Sequence, residues 1–222
     1  MPRNNKDQRT DPPVLDVFAD VSAACAALAK KDAMLARAVD AIGSPHIRRR
    51  PGGFEAVARI IVEQQVSVAA AQAIWKRCTD QVSPMSAQNV LAIKQDDLCA
   101  CGLSRPKATY VHALAEAVVS GDVDFMEIAQ LDDESAAAQL INVKGIGPWS
   151  AAIYLLFCEG RVDIWPQRDV ALLGAYNAAR KRGPDLEMGP FDEKAQKWRP
   201  YRGIAAHILW TYYAHIRGRT PI

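Results

Sequence analysis

The sequence lacks the patterns of a disulfide-bonded, metal-binding or membrane-spanning protein. Its five cysteines are scattered and odd in number, which does not suggest a secreted disulfide framework and favours a reducing cytoplasm. No four-cysteine cluster lies near the C-terminus, so no iron–sulfur site is expected there, and the four histidines form no zinc spacing with the cysteines. The longest wholly apolar run, 151–158, is far shorter than a membrane span. We therefore expect a cytoplasmic protein without a metal site and without a membrane segment.

Sustained period-2 alternation of β-branched residues is also missing, which argues against strands. Apolar residues instead recur at helical spacing, for example at Val57, Ile60 and Ile61. The polar segment 1–13 has no apolar signal core, and we expect it to be a flexible tail before one helical domain, 14–222. The sequence predicts an all-α protein, with its longer helices over 22–42, 54–78, 106–119, 170–181 and 202–216.

The charge balance neither requires nor excludes a nucleic-acid partner. The formal net charge is +2, from 27 basic and 25 acidic residues. Any affinity for a polyanion must come from local basic clusters, such as those at 46–50 and 180–182. Each cluster is more often only a solvated surface.

One stretch, about 136–158, is predicted to form a helix-hairpin-helix. Gly145 and Gly147 separate two helical patterns, because glycine supplies positive φ angles and Pro148 suits the first turn of the next helix. Glycines leave backbone N–H groups open to a phosphate, and Lys144 can add a charge to the same phosphate. A Gly-x-Gly turn is also a common tight connection, so the motif alone does not establish DNA binding.

Asp169 stands at the head of the next helical pattern. An aspartate before such a pattern is typical of an N-cap, whose side chain accepts hydrogen bonds from the first backbone N–H groups of the helix. The positive end of the helix dipole favours a negative charge at this position. The same residue could therefore cap a helix and present an anion to a reacting group.

The order of these features resembles the helix-hairpin-helix DNA glycosylases, and among them the 3-methyladenine (alkylated-base) branch. The resemblance runs from about Phe54 to Trp210 and rests on the string Val-Lys-Gly-Ile-Gly-Pro-Trp-Ser-Ala-Ala at 143–152, followed by Asp169. It implies two helical subdomains that flank a cleft for DNA and the active site. The N-terminal β-rich domain that some members carry is not expected, because few residues precede Phe54 and these look helical.

The resemblance implies that Asp169 is the catalytic carboxylate of a base-excision enzyme. Breaking an N-glycosidic bond develops positive charge on the deoxyribose, which a nearby anion stabilises. Alkylation already makes the purine a good leaving group, so one carboxylate suffices where ordinary glycoside hydrolysis uses two. Asp163 is therefore expected to be a turn or cap residue. Trp149 stands where related lyases carry a Schiff-base lysine, so we predict a monofunctional enzyme that leaves an abasic site.

The resemblance also assigns residues to base flipping, which brings a damaged base into a pocket. Trp149 and Trp210, with Tyr154 as a weaker candidate, match pocket aromatics whose electron-rich faces favour a cationic purine. Gln65 stands where the family places the wedge that fills the space left by the flipped base. Each assignment has a structural alternative, which is core packing for the rings and a polar helix end for Gln65.

The predicted function is removal of alkylated purines from duplex DNA by a monomer that needs no cofactor. The family allows a monovalent cation at the hairpin carbonyls, which the sequence does not assign. Arg202 could hold a carboxylate or support the cleft. Two other functions stay open: a glycosylase for an oxidised or deaminated base, and a non-catalytic helix-hairpin-helix module that only holds DNA. Asp169 separates the last from an enzyme, because a pure binder would tolerate an Asn cap there.

Overall fold

The computed structural model describes residues 21–180 and 183–220, and all regular structure in these ranges is helical. The all-α prediction is confirmed for this part of the chain, in which no helix is long and apolar enough to cross a membrane. The predicted tail, 1–13, lies outside the described residues, as do Lys181 and Arg182 of one basic cluster. The helices are α1 (Val21–Lys31), α2 (Ala33–Ile42), α3 (Phe54–Glu63), α4 (Val68–Gln81), α5 (Ala87–Leu91), α6 (Gln95–Ala100), α7 (Arg105–Ser120), α8 (Phe125–Ile128), α9 (Asp133–Ile141), α10 (Pro148–Tyr154), a π-helical turn (Leu155–Glu159), α11 (Val170–Ala178), α12 (Met188–Ala195), a 3₁₀ turn (Gln196–Trp198) and α13 (Arg202–His215).

The described chain divides into two compact units, and the division falls inside the turn between α9 and α10. One unit is Pro51–Gly145, which contains α3 to α9; the other combines 21–50 with 146–220. In the first unit, α7 packs against α3, α5 and α6. The apolar stripe predicted on α3 is buried, and burying each such aliphatic side chain contributes roughly 1.5–3 kcal/mol.

In the second unit, Asp32 divides the helix predicted over 22–42 into α1 and α2, so that prediction was wrong at this point. The carboxylate of Asp32 caps α2 by accepting the backbone N–H of Met34 at 2.8 Å. It also accepts the hydroxyl of Tyr176 at 3.0 Å and the indole N–H of Trp198 at 3.2 Å, and Lys194 Nζ lies 3.3 Å away. These bonds hold α1 and α2 to the aromatic core of the unit.

His207 is a buried, uncharged residue of α13. The imidazole is 1% exposed, and its Nδ1 accepts the backbone N–H of Arg48 at 3.5 Å. Burial, reinforced by the positive charges of Arg48 and His46, lowers the pKa of His207 from 6.5 to about 3. The unfolded chain therefore binds a proton at this residue over a pH range in which the folded protein does not.

This difference predicts that stability falls as the pH falls from 6.5 towards about 3. Between these values the unfolded state holds the extra proton, so the contribution of His207 to the free energy of unfolding declines by about 1.4 kcal/mol per pH unit. The measurement is urea unfolding at several pH values, with His207→Gln as the matched variant. The stability difference between wild type and this variant should shift by that slope, whereas a pH-independent difference would contradict the assignment.

Candidate active site and nucleic-acid interface

Asp169 is the N-cap of α11, as its sequence position predicted. Its backbone is extended, with φ −77° and ψ 112°, and its Oδ1 accepts the N–H groups of Ala171 at 2.9 Å and Leu172 at 3.0 Å. The residue is only 8% exposed. The N-terminus of α11 therefore surrounds one carboxylate oxygen with donors and places the positive end of a helix dipole beside it.

Trp149 holds the other oxygen of the same carboxylate. This tryptophan is half-buried near the start of α10, and its indole Nε1 donates to Asp169 Oδ2 at 2.9 Å. A half-buried indole N–H needs a partner, and an anionic acceptor makes the bond stronger than a neutral one. Three neutral N–H donors thus fix the orientation of the Asp169 carboxylate. The sequence named both residues but did not predict this bond.

The loop that leads into Asp169 is held by Asp192 on α12, a residue that sequence reasoning missed. Asp192 Oδ1 accepts the indole N–H of Trp165 at 2.8 Å, and Oδ2 accepts the backbone N–H of Arg168 at 3.2 Å. Arg168 has a left-handed backbone, with φ 62°, which costs about 1–2 kcal/mol in a residue with a side chain. The Asp192 carboxylate therefore supports a strained residue immediately before Asp169.

Arg202 holds the carboxylate of Asp163, which decides between the two roles left open for it. Arg202 Nε lies 3.1 Å from Asp163 Oδ1 and Nη2 lies 3.1 Å from Oδ2, while Nη2 also donates to the Asp163 carbonyl at 2.7 Å. Arg199 Nη1 contacts the same carboxylate at 2.8 Å. Asp163 lies in a turn, as expected, and its carboxylate also accepts from two arginines, so its charge is already paired.

The proposed pocket aromatics differ in their exposure. Trp210 is half-buried, and its ring meets Phe157 edge-on with centroids 5.4 Å apart. Tyr154 is fully buried, at 0% exposure, which agrees with its core-packing alternative. Trp149 keeps a partly open surface next to the Asp169 carboxylate. The assignment of all three rings to a base pocket stays a prediction.

The hairpin turn uses its two glycines differently from the expectation. Gly145 has φ +92°, and the ring of Tyr110 occupies the place of a Cβ, so only glycine fits. Gly147 has φ −91° and ψ 176°, an extended conformation open to any residue, because an N-cap to α10 needs no positive φ. A Cβ at Gly147 would have no neighbour within 4 Å, and Lys144 is exposed. Gly147 is thus not required for the bend of the turn, and its missing side chain leaves an open surface.

Gln65 lies in the loop between α3 and α4. Its side chain is exposed, and its backbone is left-handed with φ 53°. The next helix begins after Ser67, whose hydroxyl accepts the N–H of Ala70 at 3.3 Å. The helix predicted over 54–78 is therefore two helices, and the wedge candidate occupies the break between them.

The basic cluster at 46–50 folds back onto its own unit. The guanidinium carbons of Arg48 and Arg50 lie 5.0 Å and 5.5 Å from the centre of the Phe157 ring, and Arg49 contacts Gly160. All three arginines are half-buried. The stacking of Arg48 and Arg50 on Phe157, a residue of the π-helical turn, is a packing role that the sequence did not predict.

Comparison with known proteins finds relatives over most of the chain. A family model, HhH-GPD superfamily base excision DNA repair protein, matches residues 58–199. The alkylbase DNA glycosidase-like protein mag2 of Schizosaccharomyces pombe is 30% identical over 176 residues, which cover 75% of this chain and 80% of that protein.

Solved structures give the same fold. The DNA-3-methyladenine glycosidase of Bacillus halodurans has a TM-score of 0.75 and 26% identity, covering 90% of this chain and 93% of that one. The Schizosaccharomyces pombe 3-methyladenine DNA glycosylase Mag1, in complex with abasic DNA, has a TM-score of 0.78 and 24% identity, covering 86% and 96%. At 24% identity, the likeness to the second structure shows a shared fold and nothing more.

The pairing of Asp163 with Arg202 predicts that Asp163 acts on stability and not on chemistry. Asp163→Asn should lower the free energy of unfolding by about 2 kcal/mol, because Arg202 and Arg199 lose a charged acceptor. Thermal and urea unfolding measure this, and the Asp163→Asn, Arg202→Met double variant should lose less than the sum of the two single variants. Full additivity, or an unchanged stability, would contradict the pairing.

Proposed function

The chain belongs to the HhH-GPD superfamily of base excision DNA repair proteins, and from this we propose that it is a monofunctional DNA glycosylase for alkylated purines in duplex DNA. The observation that carries the proposal is the Asp169 carboxylate, buried and oriented by α11 and Trp149. Relatives named for 3-methyladenine or alkylated bases support the substrate class. We further propose that the protein acts as a cytoplasmic monomer, without a cofactor.

The chemistry needs an anion close to the sugar of the damaged nucleotide. The C1′–N bond breaks, its electron pair leaves with the cationic purine, and positive charge grows on the deoxyribose. Water then bonds to C1′ and releases its proton to solvent, which leaves a free base and an abasic site. Asp169 stabilises the developing charge, and its three neutral N–H partners orient the carboxylate without cancelling its charge.

The residues at the hairpin argue against a second, lyase step. Cutting the strand requires an amine that forms a Schiff base with the sugar. Position 149 carries an indole, and its N–H is bonded to Asp169. Ser150 cannot replace the amine, and Lys144 stands on the other side of the glycines. We therefore propose that strands stay intact until alkali cleaves the abasic site.

Duplex DNA is the proposed partner, held through its phosphates and opened at the lesion. The exposed Lys144 and the open surface at Gly147 suit a phosphate contact, with Gly145 shaping the turn. Gln65, exposed in its loop, would fill the space left by the flipped base. The half-buried rings of Trp149 and Trp210 would receive the base, because indole faces attract a cationic purine.

The test measures release of free 3-methyladenine from methylated duplex DNA, with strand integrity before and after alkali. Asp169→Asn alone is a confounded variant, because the new amide would point a donor at the Trp149 donor. Two variants are therefore compared: the single variant Trp149→Phe, and the double variant that carries both Trp149→Phe and Asp169→Asn. We expect about tenfold slower release for the first, which loses one bond to the carboxylate, and at least about a hundredfold further loss for the second.

Three results would contradict this account. Equal rates of base release for the two variants would show that Asp169 takes no part in the chemistry. Strand breaks without alkali would refute the monofunctional mechanism. Tight DNA binding by wild type without base release would indicate a binding module or a different lesion, such as an oxidised or deaminated base.

A further inference from the structure

Helix α7 supports the end of α3, where the chain turns towards Gln65. Lys107 Nζ donates to the backbone carbonyl of Val62 at 2.8 Å and to that of Gln64 at 2.6 Å. The last carbonyls of a helix have no partners within it, and a cation there also complements the helix dipole. Lys107 therefore closes the C-terminal end of α3 and holds the peptide group that immediately precedes Gln65.

The backbone of Gln65 is in a conformation that needs such support. Its φ of 53° costs a residue with a side chain about 1–2 kcal/mol. A strained residue persists where the surrounding structure determines its geometry. Two bonds do this at Gln65: Lys107 holds the Gln64 carbonyl, and Gln64 Nε2 donates to the carbonyl of Gly145 at 3.1 Å. Both bonds lie within the first unit, 51–145.

The same helix contacts the hairpin turn. Tyr110 lies one turn after Lys107 on α7, so the two side chains share a face. The Tyr110 ring fills the place where a Cβ of Gly145 would stand. Helix α7 thus contacts both segments of this unit that the proposed function assigns to DNA, the loop before Gln65 and the hairpin turn at Gly145. Gln64 links these two segments directly.

We propose that Lys107 is a positioning residue that sets the wedge Gln65, with Gln64 as its link to the hairpin turn. The inference rests on the proposed function and names the side chain that prepares the wedge before DNA binds. Lys107 directs its ammonium at protein carbonyls, whereas Lys144 is exposed and suited to a phosphate. Without Lys107, Gln65 must be ordered during base flipping, which raises the cost of opening a stacked duplex.

The test is a double-mutant cycle of Lys107→Met and Gln65→Ala, read as the single-turnover rate of 3-methyladenine release. The substrate is a methylated oligonucleotide paired with its full complement, or with a complement that lacks the base opposite the lesion. On the full duplex each variant should be about tenfold slower, and the double variant no slower than the worse single one. Without the opposite base, where flipping is easier, both losses should shrink.

Lys76→Met is the charge-matched control, because Lys76 is an exposed residue of α4 paired with Asp80, which is also exposed. It should leave the rate unchanged. If Lys107→Met does not fold, Gln64→Met enters the cycle in its place, since it removes the donor to Gly145. Additive losses, or equal losses on both duplexes, would overturn the positioning role while wild type stays active. A wild type that releases no base would refute the proposed function, and the positioning role with it.

Discussion

The hydrogen bonds that converge on the Asp169 carboxylate are the interaction on which the candidate site depends. Two come from the first turn of α11 and one from the indole of Trp149. Together they fix both oxygens of a nearly buried carboxylate. Among the residues that the structure describes, no positively charged side chain pairs with it. The helix geometry, the strained Arg168 and the supporting Asp192 all serve to place this group. A carboxylate so oriented needs little reorganisation when positive charge develops beside it.

Other buried or partly buried acids of the second unit are paired with cations, which distinguishes them from Asp169; Glu159, for example, lies 2.6 Å from Arg161. Asp163 contacts Arg202 and Arg199, and Asp32 lies next to Lys194. Such pairs hold helices and loops together, but their charge is neutralised locally. The Asp169 carboxylate accepts only neutral N–H donors and keeps its charge for a reaction that forms a cation, which is consistent with a single-carboxylate mechanism.

Local signals predicted much of this protein, and long-range contacts were missed. The N-cap at Asp169 and the turn before Pro148 each follow from a few neighbouring residues, whereas the break at Gln65 falls inside a helix that was predicted to be continuous. The Trp149 bond to Asp169 joins residues twenty positions apart, and the Lys107 bond to Gln64 joins residues forty-three apart. Helical periodicity contains no information about such pairs. The division at Asp32 had a local signal, a capping residue after two lysines, which a long alanine-rich helical pattern obscured.

The central claim is that the Asp169 carboxylate faces the positive charge that forms on the sugar. The most direct measurement compares the dissociation constants of two duplexes, one with a cationic pyrrolidine and one with a neutral tetrahydrofuran in place of the target deoxyribose. Wild type should bind the cationic duplex at least about tenfold more tightly, because it imitates the charge of the transition state, and a variant with Asp169→Ala should lose this preference. An equal preference in wild type and variant would show that Asp169 does not face the sugar, and would contradict the account.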